Sequence, residues 1–482
     1  FMLNGCEALL EEKVRSEYTE ETLLATKSGL ESVLADAYSR GNDIRDIVKR
    51  SDMTTDILTQ SGGGESGTAT PLINFRWDSS NELEAFDWMR YWEMIRNANI
   101  ILANINKASG FSNDEDKKFL EAESRFIRVW AYYFLWDQYG TMPLRKSVDD
   151  PMELAKATNE EFYTFMETEL KDNIIPNIYE AGKEPSYGRA NKGAAMGFLC
   201  LWYLNNHKWQ DCLDIAQDII DGKAGKIYDL FPDYNMMFAL ENEQNCEFIW
   251  SITCLANSGN TNVLFPTTIP TDFKEGIDGY LNGVVNTSWS NFASNYKLYD
   301  DFYYSFSPED VRKGRILTKY IDSNGNIIDL LDGTHKDETR AMKFPPDPSS
   351  TGNAHGNDFP LIRYAEIILA KAEALLELNG LNQETVDLVN DIRERAGLED
   401  VSLSDFSTKD GLLEEILNQR KWEFFYEGKR RRDLIRTGRY IKCAHDRGIK
   451  NAADYHVLFP IRQSAIDANP LLKQNEGYST SE

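Results

Sequence analysis

Apolar side chains recur at helical spacing along two long stretches, and this constrains the fold more than any other feature of the chain. From Phe119 they return at Ala122, Phe126, Val129, Tyr133 and Trp136, one stripe of a helix that Gly140 and Pro143 end. From Leu361 they return at Tyr364, Ala365, Ile368, Ala372 and Leu375, with Gly380 placed to stop the helix. Between them, residues 190–203 read as one helix and 208–220 as its partner, joined by an Asn205-Asn206-His207 turn. Trp209, Cys212, Ala216 and Ile219 share a face of the second helix. So short a turn forces the two helices antiparallel, and the alanines let them approach closely. This is the build of a tetratricopeptide-type pair. The expected class is mainly α, with tetratricopeptide-like helical pairs as scaffold, long irregular loops and a few short strands.

Helical regularity fails between about residues 232 and 360, where Pro, Gly and Asn cluster around isolated strand-like runs. Asn324-Gly325 between residues 318–321 and 327–328 predicts a hairpin. Gly62-Gly63-Gly64 is a surface loop rather than a phosphate cradle, because no Gly-Lys-Ser/Thr follows it. Irregular insertions on a helical frame are where binding residues usually sit. Residues 6–482 therefore read as one domain, with a helical scaffold over 20–230 and 361–440 and a loop-rich ligand region over 232–360.

A chain of 482 residues with 41% hydrophobic content can bury a large core, and no stretch approaches the ~20 apolar residues of a spanning helix. The net charge of −26 repels phosphate backbones, which excludes nucleic acid as a partner. No metal or cofactor is expected. His207 sits in a turn, His335 and His355 in loops, and His445 and His456 are eleven residues apart, without zinc-like spacing to any cysteine. Asp322-Ser323-Asn324-Gly325-Asn326 has its Gly at the fourth place rather than the sixth of an EF-hand loop. Cys200 and Cys212 read as buried thiols, while Cys246 and Cys254 could close a hairpin disulfide. Arg420, Glu423, Glu427 and Arg430, spaced 3, 4 and 3, would share one helix face. Flanking arginines lower carboxyl pKa values, and a glycosidase needs one of them raised and room for a sugar. The expected reading is a structural ion network. No nucleophile motif appears, and no enzyme is expected.

Near the start, Leu3-Asn4-Gly5-Cys6 looks like a bacterial lipobox. Cleavage after Gly5 would leave Cys6 as a lipidated N-terminus and residues 1–5 as the remnant of a signal segment, giving an anchored protein. The alternative is an ordinary cysteine near a frayed terminus.

Several blocks together resemble the SusD/RagB family of outer-membrane nutrient-binding lipoproteins. Trp88-Met89-Arg90-Tyr91 through Ile95 to Ala98-Asn99 resembles an early family helix. Glu121 to Phe126, then Tyr132-Tyr133-Phe134 and Tyr139-Gly140-Thr141-Met142-Pro143-Leu144, matches its aromatic helix ending in Gly-x-x-Pro-Leu. Gly188-Arg189-Ala190 opens the next helix in the family manner. Ile362-Arg363-Tyr364-Ala365-Glu366 with Ala372-Glu373-Ala374, Arg420 to Arg430 through Asp433-Leu434, and Phe459-Pro460-Ile461 to Asn469-Pro470 and Tyr478 complete it. The middle third matches loosely, at Leu298-Tyr299-Asp300 and Asp310-Val311-Arg312. The resemblance implies a helical protein whose loops bind glycan or, in some members, peptide, and a lid-like partnership with a SusC-type TonB-dependent transporter.

Sugars stack flat C–H faces on aromatic rings, so candidate ligand residues are aromatics in polar loops, with polar neighbours for the hydroxyls. Trp77 with Asp78 and Asn81, Tyr280 with Asn282, and Trp289 with Asn291 qualify, and Tyr296 is added although it borders a buried-looking stretch. The expected function is a surface, lipid-anchored protein of the outer membrane that captures oligosaccharide. A peptide-binding uptake subunit and a helical-repeat scaffold with no small ligand are the alternatives.

Overall fold

The computed structural model describes residues 20–78, 86–286, 288–290, 295–334 and 336–478. The long aromatic helix runs Asp114–Tyr139, opened by Asn113, whose side chain accepts from the Asp116 N–H at 2.7 Å. Gly140, at φ 75°, ends it, and its N–H returns to the Trp136 carbonyl at 3.0 Å. Phe86–Asn104 packs between this helix and Lys27–Arg40. Gly41 lets the latter approach, since a Cβ there would meet the Trp130 ring at 2.0 Å.

The expected pair is present as Lys192–Asn205 and Trp209–Ile220, turned through His207 at φ 57°. Every residue from Gly193 to Leu204 is buried, so the first helix is a central rod, while the second buries one face, Cys212, Ala216 and Ile219. The Cys200 and Cys212 sulfurs lie 3.9 Å apart in their interface as free thiols. The second stripe forms Tyr364–Asn379, stopped by Gly380 at φ 69°, and turns into Gln383–Arg395. Alanines 365, 370, 372 and 374 are fully buried where it meets its neighbours. The alternating helices build one continuous core, and Lys409–Phe424 packs on this last pair through a second. Among the described residues no helix is long and apolar enough to cross a membrane.

The irregular region is tied at both ends by short antiparallel strands. Phe248–Ile252 pairs with Phe359–Arg363, and Leu58–Gln60 with Tyr296–Leu298. Inside, Phe273–Gly276, Lys319–Asp322 and Ile327–Asp329 make a three-stranded sheet, the last two joined by the Asn324-Gly325 hairpin. Asp322 Oδ1 accepts the Asn324 and Asn326 N–H groups at 2.8 Å each, so this acidic run is a turn. The sheet covers a small separate core of Phe265, Ile269, Phe273, Leu281, Leu317, Tyr320, Leu330 and Met342.

The pairing that the sequence leaves open is absent. Cys246 and Cys254 are free thiols. The strand between them is extended and pairs with Phe359–Arg363, and at about 3.3 Å per residue it holds the two cysteines apart.

Candidate functional site

The loop aromatics separate into two kinds. Trp77 is 2% exposed; its indole N–H donates to the Tyr478 hydroxyl at 2.8 Å, and its ring packs against Phe75, His456 and Phe459. Tyr296 is fully buried in its strand opposite Gln60, donating to Glu65 Oε2 at 2.6 Å. Neither ring can serve as an exposed platform, and both assignments are withdrawn. Asp78 is exposed beside the buried Trp77. Asn81, Asn291 and Cys6 lie outside the described residues.

Tyr280 and Trp289 are half-buried, and both pack on the rim of the small separate core. Trp289 meets Phe265 edge-on at 5.6 Å. Its indole N–H donates to the Asp347 carbonyl at 3.2 Å, and its backbone N–H to Asn286 Oδ1 at 2.9 Å. Exposed Ser288 and Ser290 flank it, and Ser290 N–H donates to the Gly352 carbonyl, which fastens this segment to the 347–352 loop. Tyr280 lies in a single helical turn, Gly279–Leu281, beside exposed Asn282. The Arg315 guanidinium sits 3.6 Å from its ring centroid. Sequence reasoning missed Arg315, and it missed Tyr304, 63% exposed and 5.3 Å from the Tyr303 ring. The short helix Asp300–Tyr304 ends there, leaving Tyr304 outside the packed face; its polar approach, Asp300-Asp301, was the available signal.

The carboxylates that could suggest hydrolysis are buried and occupied. Glu423 lies 2.8 Å from Arg363, 2.6 Å from Arg395 and 3.4 Å from Arg312. Glu427 takes a two-pronged contact from Arg363, 2.8 Å on each oxygen, and also pairs with Lys343. Glu247 bridges Arg363 and Arg395, and Asp310 holds Arg312 at 2.7 Å. Four cations thus face four carboxylates with side chains no more than 4% exposed. Burial alone would raise the Glu423 and Glu427 carboxyls, but the surrounding cations outweigh it and hold both below their ordinary values. Burial pushes Lys343 down to about 8. The ion network is present, but not on one helix face. The helix ends at Phe424, and Tyr426 at φ 63° and Gly428 at φ 73° turn the chain, so Glu427 lies in the turn and Arg430 opens the next helix, where it pairs with Asp56 at 2.8 Å.

Two family models match this chain. One, described as the SusD family, covers residues 339–478; the other, described as starch-binding and associating with the outer membrane, covers 9–204. The chain belongs to the SusD/RagB family. SusD-like protein P25 of Formosa agariphila is 25% identical over 99% of this chain and 97% of its own length. Starch-binding protein SusD of Bacteroides thetaiotaomicron is 24% identical over 84% of this chain and 81% of its own. Surface glycan-binding protein A of Bacteroides thetaiotaomicron, solved in complex with laminarihexaose, shares the fold with a TM-score of 0.75 at 20% identity, covering 93% of this chain and 99% of that one. The matched SusD/RagB stretches hold most of the scaffold helices and the Arg363, Glu423 and Glu427 cluster. Between them, residues 205–338 carry Tyr280, Trp289, Tyr304 and Arg315. The two family models thus cover much of the scaffold, and the aromatic rim lies between the stretches they match.

Proposed function

We propose that this chain is a cell-surface glycan-binding protein that captures oligosaccharide through its loop aromatics and hands it to a SusC-type TonB-dependent transporter, held at the outer membrane by lipid on Cys6. The observation that carries the glycan reading is the pair of half-buried rings, Tyr280 and Trp289, set with polar neighbours on one small core. Exposed aromatics with polar rims usually mark binding sites. The starch-binding and laminarihexaose-bound relatives support the ligand class. The carboxylate cluster supports binding without catalysis, because its oxygens are already taken by buried cations.

Trp289→Ala and Trp289→Phe test the site by calorimetry with a glycan that the wild type binds on an array, alongside thermal melts. Each aromatic contact contributes about 0.5–1.5 kcal/mol beyond area burial, so the alanine variant should lose up to about tenfold in affinity. The phenylalanine variant should keep much of it. Unchanged affinity with a lowered melting temperature would make the ring a staple between Phe265 and Asp347 and refute its role. A wild type that binds no glycan on the array but retains peptides from a library would overturn the ligand class.

A further inference from the structure

Arg315 differs from every other buried guanidinium described above. Arg312, Arg363, Arg395 and Arg430 each face at least one carboxylate, whereas Arg315 is fully buried with no ion pair among the described residues. None of its three nitrogens has a partner in hydrogen-bonding geometry. Buried polar groups are satisfied as a rule, and a buried charge without a counter-ion is strongly destabilising. What Arg315 does have is the Tyr280 ring, 3.6 Å from the guanidinium carbon. Burial lowers its pKa to about 10, with Tyr280 acting in the opposite sense, so it remains a cation at neutral pH.

Tyr280 is half-exposed, with exposed Gly279, Asn282 and Gly283 around it. An aromatic face is electron-rich and draws cations or the weakly positive C–H groups of a neutral sugar. Here the inner face is already engaged by a full positive charge. That depletes the outer face and lets the field of Arg315 emerge through the ring. The arrangement recurs close by: Lys313 Nζ lies 4.5 Å from the centroid of Tyr303, which adjoins exposed Tyr304. One helical turn, Val311–Arg315, delivers both cations. It packs closely on the Tyr280 turn, where a Cβ on Gly279 would come within 2.9 Å of the Gly314 carbonyl.

We propose that Tyr280 seats a sugar bearing an anionic substituent, carboxylate or sulfate, and that Arg315 selects for that charge through the ring. The proposal rests on the reading of Tyr280 as a glycan platform. An anion in contact with the outer face would lie about 7 Å from the guanidinium; at an effective dielectric near 20, unit charges at that distance change binding by roughly fiftyfold before solvent screening. A loss of fivefold or more is therefore expected when the charge is removed.

The test is affinity electrophoresis and calorimetry at pH 7 with polygalacturonate, a sulfated galactan and neutral laminarin, on wild type, Arg315→Met, Arg315→Lys and Tyr280→Ala. Wild type should prefer at least one acidic polymer to laminarin, and which one tells carboxylate from sulfate. Arg315→Met should lose that preference by fivefold or more, and Arg315→Lys should keep most of it. A wild type that binds laminarin at least as well as both acidic polymers, or neither acidic polymer at all, overturns the proposal without any variant. So does a folded Arg315→Met with an unchanged acidic-to-neutral ratio. Tyr280→Ala that binds every wild-type ligand undiminished removes Tyr280 from the platform itself, an outcome distinct from failure of the charge selection alone.

Discussion

Glu423→Gln is the sharpest test of how this fold is held together. The substitution keeps the shape of the side chain and removes one negative charge from a cluster in which Arg312, Lys343, Arg363 and Arg395 face Glu247, Asp310, Glu423 and Glu427. Arg395, 2.6 Å from Glu423, and Arg312, 3.4 Å away, then share a buried excess charge. Breaking a buried pair by deleting one partner costs about 3–5 kcal/mol. At about 2.1 cal/mol/K per residue, the 482 residues unfold with an entropy near 1 kcal/mol/K, so the melting temperature should fall by about 3–5 °C. Calorimetry at pH 7 with a urea titration measures it. Arg395→Met in the same chain restores neutrality, and the double variant should be less destabilised than the sum of the two single ones. The pH dependence has a definite sign. A carboxyl held below its ordinary value in the folded state stabilises above about pH 4.5, and that contribution is lost as pH falls toward the folded value. Wild type should therefore lose stability on acidification more steeply than Glu423→Gln. A variant that melts with wild type, or a double variant worse than the sum, would refute the balanced-cluster account. Glycan hydrolysis by wild type that this variant abolishes would refute the non-catalytic reading.

Trp77→Ala should cost about 3–5 kcal/mol by denaturant titration while leaving glycan affinity unchanged, since the ring is core. Gly428→Ala places a Cβ 2.7 Å from Ile47 Cγ2 at φ 73°, and the left-handed backbone alone costs about 1–2 kcal/mol; a melting temperature equal to wild type would contradict the turn geometry. Burial raises the Asp52 carboxyl to about 7 despite the Tyr426 N–H it accepts at 2.9 Å. Its folded value lies above its unfolded one, so this group's contribution fades as pH rises from about 4 through 7, and Asp52→Asn should stabilise the protein more at pH 8 than at pH 5.

What the sequence disclosed and what it hid divide along the range of the interactions. The Lys192–Asn205 and Trp209–Ile220 pair, the stop at Gly380 and the Asn324-Gly325 hairpin are written in residues within four places of each other, where helical stripes, caps and turn chemistry operate. Trp77 and Tyr296 were misplaced because polar neighbours in the chain say nothing about distant partners. The Trp77 indole meets Tyr478, and the Tyr296 hydroxyl meets Glu65. The 3-4-3 spacing of Arg420 to Arg430 points to buried ion pairs, but these four do not pair with one another: Arg420 meets Asp433 and Arg430 meets Asp56. It did not reveal the turn at Tyr426, nor that Arg363 is the hub, because the partners of Arg363 stand at positions 247, 423 and 427.

That same cluster ties the loop-rich stretch to the helical scaffold. Glu247, Asp310 and Arg312 come from the stretch between the two family-matched segments, while Lys343, Arg363, Arg395, Glu423 and Glu427 come from within the second. The charge balance therefore closes only when the intervening stretch is docked on the scaffold. Lys343 also donates to the Glu423 and Phe425 carbonyls at 2.7 and 2.9 Å, which joins the strand-rich region to the end of the Lys409–Phe424 helix. Held at these buried points and by the Phe248–Ile252 pairing with Phe359–Arg363, the segment has its small core fixed from beneath. The rim residues Tyr280, Asn282, Trp289 and Tyr304 take no part in the cluster, so their identity can change without disturbing it. A buried, self-neutral anchor beneath a half-buried aromatic rim would keep stability separate from the proposed ligand contacts. The two family models match the scaffold on either side, and the proposed ligand contacts lie on the stretch between them.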